Sequence, residues 1–196
     1  MVAPALPKEG VRVNGQYRLN RHRGFTLIEV LVTLLVLAIG LLGLAGMNAR
    51  MLNSQFEAYQ RAQAMLLVED MASRIRSNPA AARSGNYGST TEYGLNNEVC
   101  GTGYDVAKDL CEWNQALRGA SVASGGSQLG SILGARGCIE NISTPASGQA
   151  VVRVTVAWQG MAPTVAPSLA CGQGDYGDDN LRRAVSVDVV LAYLGV

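Results

Sequence analysis

The chain of 196 residues is poor in the side chains that carry out catalysis. It has one histidine, His22, four cysteines with no CxxC among them, and no GxSxG, Walker A or strand-to-helix GxGxxG motif. Nucleotide cradles and nucleophile elbows depend on those patterns, so enzymes built on them are excluded. If His22 lies in a segment that is removed, neither a Ser-His-Asp nor a Cys-His arrangement can be assembled. Zinc is disfavoured for a related reason, since its sites draw on histidine and closely spaced cysteine. Charge is also absent over a long stretch, with none between Val30 and Ala49.

That uncharged run is where the organisation of the chain begins. About 20 apolar residues at ~1.5 Å rise per residue match a hydrocarbon core of roughly 30 Å, so this helix can span a bilayer. Arg18, Arg21, His22 and Arg23 precede the run with no acid among them. By the positive-inside bias they stay cytoplasmic, and the remainder of the chain lies outside. Glu29 stands out as a lone carboxylate, the fifth residue counting from Phe25. A charge at the centre of a span costs roughly 2.5–3.5 kcal/mol and less toward its end, so Glu29 either has a partner cation or reaches the headgroup zone.

The order Gly24-Phe25-Thr26-Leu27-Ile28-Glu29 resembles the class III signal sequence of type IV prepilins and pseudopilins. The resemblance implies cleavage after Gly24, N-methylation of the new N-terminus at Phe25, and a role for Glu29 in assembly, paired with the N-terminal amine of a neighbouring subunit. The run from Val30 to Gly46 is similar to that of the minor pilins of the type IV pilus modification protein PilV family. So is Leu66 to Ala80, with its acid-Met-Ala-x-Arg-x-Arg-x-Asn-Pro ending. The likeness is strong from Arg23 to about Ala80 and thin beyond. It implies an α+β type IV pilin fold, in which a long N-terminal helix with a transmembrane first half packs on a small antiparallel sheet. The implied partners are a prepilin peptidase/methyltransferase, other minor pilins and the major pilin, the inner membrane and a pilus-tip adhesin. No cofactor, metal or nucleic acid is expected. A pseudopilin of a type II secretion system shares the same N-terminus, and a signal-anchored periplasmic binding protein or enzyme is the alternative of another class.

The expected divisions are a basic leader over residues 1–24, an assembly and membrane helix over 25–49, its amphipathic continuation over 50–77, and a periplasmic head over 78–196. The leader is longer than the resemblance leads one to expect, and its first ten residues, with Pro4 and Pro7, are read as reflecting an upstream start codon. It holds five of the 16 basic residues and one of the 15 acids, so eleven bases face fourteen acids after its removal, a charge of about −3. A mildly acidic chain does not suit nonspecific nucleic-acid binding. Gly40, Gly43 and Gly46 weaken the helix they sit in, which by the resemblance eases loss of helical order in a filament.

From Asn48 the pattern becomes amphipathic. Leu52, Phe56, Tyr59, Ala62 and Leu66, drifting to Leu67, Met71 and Ile75, predict the buried stripe. Phe25 to about Ser77 then forms one helix, stopped at Asn78-Pro79. Ala80 to Tyr104 reads as an irregular connection. Asp105 predicts the N-cap of a short helix to Leu117, with Val106, Leu110, Trp113 and Leu117 on one face. Gly119 to Gly137 reads as a loop or a hairpin around Ser131-Ile132-Leu133. Period-two alternation predicts strands over Gln149–Gln159, with Val152, Val154, Val156 and Trp158 inward, and over Ala184–Tyr193, with a third around Cys138 to Ile142.

Cys100, Cys111, Cys138 and Cys171 all follow the apolar run. An even count in an oxidising compartment favours two disulfides. Three pairings are possible, and the reading leans to Cys100 with Cys111 and Cys138 with Cys171. Asp175, Asp178 and Asp179, in the loop from Gly174 to Asn180, are oxygen ligands of the kind calcium takes, but their spacing fits no EF-hand and a solvated turn is favoured.

Overall fold

A computed structural model of the chain describes residues 24–119, 123–124, 127–128, 132–142 and 149–191. The basic leader before Gly24, Ser131 and Tyr193 lie outside the described residues. The chain divides into two units, Met1–Gly46 and Met47–Val196. Helix α1, Leu27–Ser77, runs through the end of the first into the second.

In the first unit α1 starts two residues later than the sequence suggests. The hydroxyl of Thr26 accepts the amide N–H of Glu29 at 3.3 Å, which caps the first turn and holds Phe25 and Thr26 outside the helix. Every residue from Leu27 to Gly46 is exposed. The helix is unbroken through Gly40, Gly43 and Gly46, and a Cβ added at any of them would meet nothing within 4 Å.

In the second unit the sequence-predicted stripe needs correction. The buried residues of α1 are Gln60, Ala64, Val68, Met71, Ala72 and Ile75. Leu52, Phe56, Tyr59, Ala62 and Leu66 are exposed. The two rows lie side by side on the helix, the buried one running through Gln60, Ala64 and Val68. The later part of the predicted stripe, Met71 and Ile75, is buried as expected.

The helix ends at Ser77 where Asn78 leaves helical geometry ahead of Pro79, and α2, Pro79–Arg83, starts at once with that proline in its first turn. The irregular connection expected from Ala80 therefore begins as helix. Helix α3, Val106–Leu117, is capped as predicted, the Asp105 carboxylate accepting the Lys108 amide at 2.9 Å. Trp113 and Leu117 on its face are buried. The indole N–H of Trp113 donates to the Leu67 carbonyl of α1 at 2.8 Å, fixing one helix across the other.

Strands β1 (Ala123–Ser124) and β2 (Ser127–Gln128) form a minimal hairpin, earlier in the chain than the hairpin expected around Ile132. Strands β3 (Arg136–Asn141), β4 (Ala150–Gln159) and β5 (Arg182–Leu191) form an antiparallel sheet in the order β3-β4-β5. Val154 lies between Ile139 and Val187 in register. Val152, Val154, Val156 and Trp158 join Ile139, Val189 and Leu191 in the core against α1, Tyr87 and Trp113. Gly137 marks where α3 crosses, since a Cβ there would stand 2.4 Å from the Trp113 ring. The second unit is thus an α+β arrangement of long helix on small antiparallel sheet, consistent with the pilin fold.

The alternation in β4 suggested one buried face, but Thr155 and Ala157 on the other face are buried too. They are covered by the segment around Cys171 and Tyr176, which forms a second small core with Cys138 and Ala184.

Candidate functional site

The start of α1 carries the residues singled out by sequence. Gly24 and Phe25 precede the helix in open surroundings, and Phe25 is 82% exposed. Glu29 sits in the first turn, its amide bonded to the Thr26 carbonyl at 3.0 Å. A carboxylate at this position is stabilised by the unpaired N–H groups of a helix start. Its side chain has no cation beside it among the described residues, and its neighbours Leu27, Ile28 and Leu31 are exposed apolar groups. The arrangement offers one acid on an otherwise apolar rod. Chemically it can receive an external cation, and it is best suited to do so where water is scarce.

The head holds its loops by covalent bonds and by arginine. Cys100 is joined to Cys111 and Cys138 to Cys171. The first bond ties the strap before α3 to that helix. Asn114 and Gln115 reinforce it, donating to the carbonyls of Asn96 and Glu98 at 2.8 Å each. The second bond ties the long loop between β4 and β5 to β3. Arg182, 1% exposed, organises that loop from within. Its guanidinium donates to the carbonyls of Leu169, Cys171 and Pro167 and pairs with Asp179 at 2.6 Å. Arg182 holds the Asp179 carboxyl below its usual range chiefly through that hydrogen bond.

The remaining loop acids are also engaged. Asp175 pairs with Arg136 at 2.6 Å, and Asp178 accepts the Asn180 amide at 3.0 Å to cap a short 3-10 turn. These carboxylates serve as structural partners of arginine and backbone, so the calcium reading gains nothing from the geometry. Glu92, Cys138 and Cys171 gather their ligand-type atoms within 4.8 Å. Both sulfurs are spent in the disulfide, however, and a metal needs thiolate.

A second cluster joins α1, α3 and the segment between them. Arg74 bonds Asp70 at 3.2 Å, Glu112 at 2.7 Å and Asp109 at 3.4 Å, and the Tyr87 hydroxyl donates to Asp109 at 2.6 Å. Burial and that neighbouring carboxylate push the Tyr87 phenol upward, while the hydrogen bond from Arg74 pulls Glu112 down. Sequence reasoning missed both arginine clusters: Arg74 joins residues far apart in the chain, and Arg182 is held mostly by backbone carbonyls of its own loop, which carry no sequence pattern. A faint signal was present in Arg182, which opens a valine-rich strand shortly after Asp175, Asp178 and Asp179.

Comparison with known proteins bears on the helix start alone. No curated protein and no solved structure matches the chain. Residues 19–45 match the family model described as the prokaryotic N-terminal methylation motif. With an α1 long and apolar enough to cross a membrane, the match is consistent with a single-pass inner-membrane protein. The motif implies processing by a prepilin peptidase and assembly with other pilins, and it points to a structural role. It supports a prepilin-type, type IV pilin-like protein acting in pilus or secretion assembly.

Proposed function

We propose that the chain is a minor pilin of the PilV type, inserted in the inner membrane with its head in the periplasm. It is cut after Gly24, methylated at Phe25, and taken into a type IV pilus. The observation that carries this reading is the lone carboxylate of Glu29, in the first turn of an exposed apolar helix and without a cation among the described residues. Cleavage creates a new amine at Phe25, and the Glu29 carboxylate of an adjacent subunit neutralises it in the apolar interior of the filament. Each charge offsets the burial of the other only while both are present. Gly24 serves the peptidase, whose narrow site takes a residue without a Cβ. The head makes its contribution through contacts with other minor pilins, the major pilin or a tip adhesin.

The test is the N-terminus of the protein recovered from cells. Mass spectrometry is expected to find N-methyl-Phe25 as the first residue. A chain that still carries residues 1–24 contradicts the proposal and favours a signal-anchored periplasmic protein. The type II secretion alternative predicts the same N-terminus. It separates from the pilus reading by recovery of the chain in sheared pili.

A further inference from the structure

The end of the sheet nearest Ser54 and Glu57 of α1 carries an apolar display that the pilin reading does not use. Asn141, opposite Val152 at the start of β4, donates to the Gly85 carbonyl just beyond α2. At the other end of β4, Trp158 lines a cavity with Ser54, Glu57, Ala58 and Arg61 of α1. Strand β4 therefore runs back along α1 toward residue 54, and the loop after it continues the same way. Glu57 fixes the loop's root, accepting the Met161 amide at 3.1 Å and pairing with Arg183 at 3.3 Å. The Thr164 amide is still bonded to Asn180 at 2.8 Å, so the loop is held in place.

This loop has no charged residue from Gly160 to Gly174. Val165 is 90% exposed and Met161 47%, and Leu133, whose carbonyl accepts the Gln159 amide at the same end of the sheet, is 48% exposed. The last uncharged residues of the helix run, Met47–Ala49, belong to the same unit. Ala49 lies eight residues before Glu57, ~12 Å along the helix. Gly160 is bonded to Leu181 and Thr164 to Asn180, the next residue out from β5, so after bends at Met161 and Ala162 the loop advances past its root and Val165 projects toward the level at which the apolar run ends. The nearby acids are engaged by Arg183, Arg182 and Arg136 or by the backbone, while Arg50, directly after the apolar run, is an exposed cation.

We propose that the loop from Gly160 to Ala166 is a foot that rests in the lipid interface, with Val165 and Met161 dipping among the headgroups and Arg50 facing anionic lipid phosphate. Apolar side chains flanked by cations are the chemistry of an interfacial contact. The foot fixes the height and rotation of the head on the membrane before extraction into a filament. The proposal rests on the membrane-inserted reading above, and its test separates the two.

The full chain is reconstituted in vesicles of zwitterionic and anionic phospholipid, brominated high on the acyl chain, as three variants. Val165→Trp probes the foot, Leu37→Trp the span, and the 98% exposed Tyr104, as Tyr104→Trp, a distant surface of the head. Fluorescence is read as the difference from the parent chain, since Trp113 and Trp158 are present in every sample. Leu37→Trp and Val165→Trp are expected to lose about half of the added emission or more, and Tyr104→Trp none. Quenching of Leu37→Trp without quenching of Val165→Trp overturns the foot alone. Absence of quenching at both positions overturns membrane insertion with it. A Val165→Trp chain that stays unquenched in vesicles but shifts to the blue in sheared pili assigns the loop to a neighbouring subunit and also overturns the lipid contact.

Discussion

The helix from Leu27 to Gly46 and the second unit from Met47 onward, the rest of α1 with the head, are both rich in apolar residues, yet they dispose of them in opposite ways. In the first, no residue is buried. In the second, Val68, Met71, Ile75, Trp113, Ile139, Val152, Val154 and Val156 are withdrawn completely from water. Apolar surface contributes roughly 25 cal/mol per Å² when it leaves water. The head realises that gain within its own chain, whereas the helix can realise it only in lipid or against neighbouring subunits. Variants should therefore separate into two classes. Changes in the helix start affect insertion and assembly, and changes in the head affect its stability.

The largest effect expected is at Glu29. Glu29→Ala should lower recovery in sheared pili by about tenfold or more, as expected for an apolar contact that loses one member of a charge pair. The thermal midpoint of the head should stay where it was. Immunoblots of sheared and cell fractions, with thermal denaturation of the detergent-solubilised chain, test both halves. Unchanged recovery breaks the comparison from one side, and a lowered midpoint breaks it from the other.

Next come the two disulfides, which belong to the head alone. Their sequence separations are 33 and 11 residues. On the chain-entropy model the longer loop is worth about 3.7 kcal/mol and the shorter about 2.8. The Cys138→Ser, Cys171→Ser double variant should accordingly be the less stable by urea titration. The difference should be widened by loss of the small core over Thr155 and Ala157, which the Cys100→Ser, Cys111→Ser variant leaves in place. Equal destabilisation would mean that Arg182 holds the loop without help from the sulfur bridge.

How much of this was legible beforehand depended on the distance over which each feature is encoded. The helix end at Asn78-Pro79, the Asp105 cap and the strand alternation of Val152, Val154 and Val156 are local signals, and each appears where it was expected. The buried row of α1 was read correctly at Met71 and Ile75 but not before them, where hydrophobicity points to Leu52, Phe56, Tyr59 and Leu66 and the structure buries the adjoining row of Gln60, Ala64 and Val68. The outer face of β4 looked exposed because its cover comes from residues near Cys171, which no pattern within the strand reveals. At the site, Gly24, Phe25 and Glu29 form a contiguous motif. The arginine clusters at Arg74 and Arg182 depend on tertiary structure and left almost no trace in sequence.

A smaller effect is expected from pH. Hydrogen bonds from Arg182, Arg153 and Arg74 hold Asp179, Asp188 and Glu112 below the usual carboxylate range. A lowered folded-state pKa stabilises the fold above the unfolded carboxylate value of about 4, and the contribution is lost as pH falls through the folded value. The thermal midpoint of the head should therefore be unaffected by these groups above about pH 5 and decline below about pH 4. Arg153→Met should flatten part of that decline, because Asp188 then titrates alike in the folded and unfolded chain. An unaltered acid limb would show that the cross-strand pair does not contribute.

The smallest effect tests the head's self-sufficiency at the point where it is least complete. Gln60 is 2% exposed, and neither atom of its side-chain amide has a hydrogen-bond partner among the described residues. A buried amide without partners costs about 1–3 kcal/mol, and an apolar side chain of similar size avoids that cost. Gln60→Leu should therefore stabilise the head by about 1 kcal/mol, raising its midpoint by roughly 2–4 °C. If the variant is more stable and enters sheared pili normally, the amide has no use in either setting and the head is a closed unit that tolerates one poor contact. If it is more stable but recovered less often, the amide is satisfied only in the filament. The division between a helix completed by other molecules and a head complete in itself would then fall within the buried row of α1, beyond the end of the apolar run.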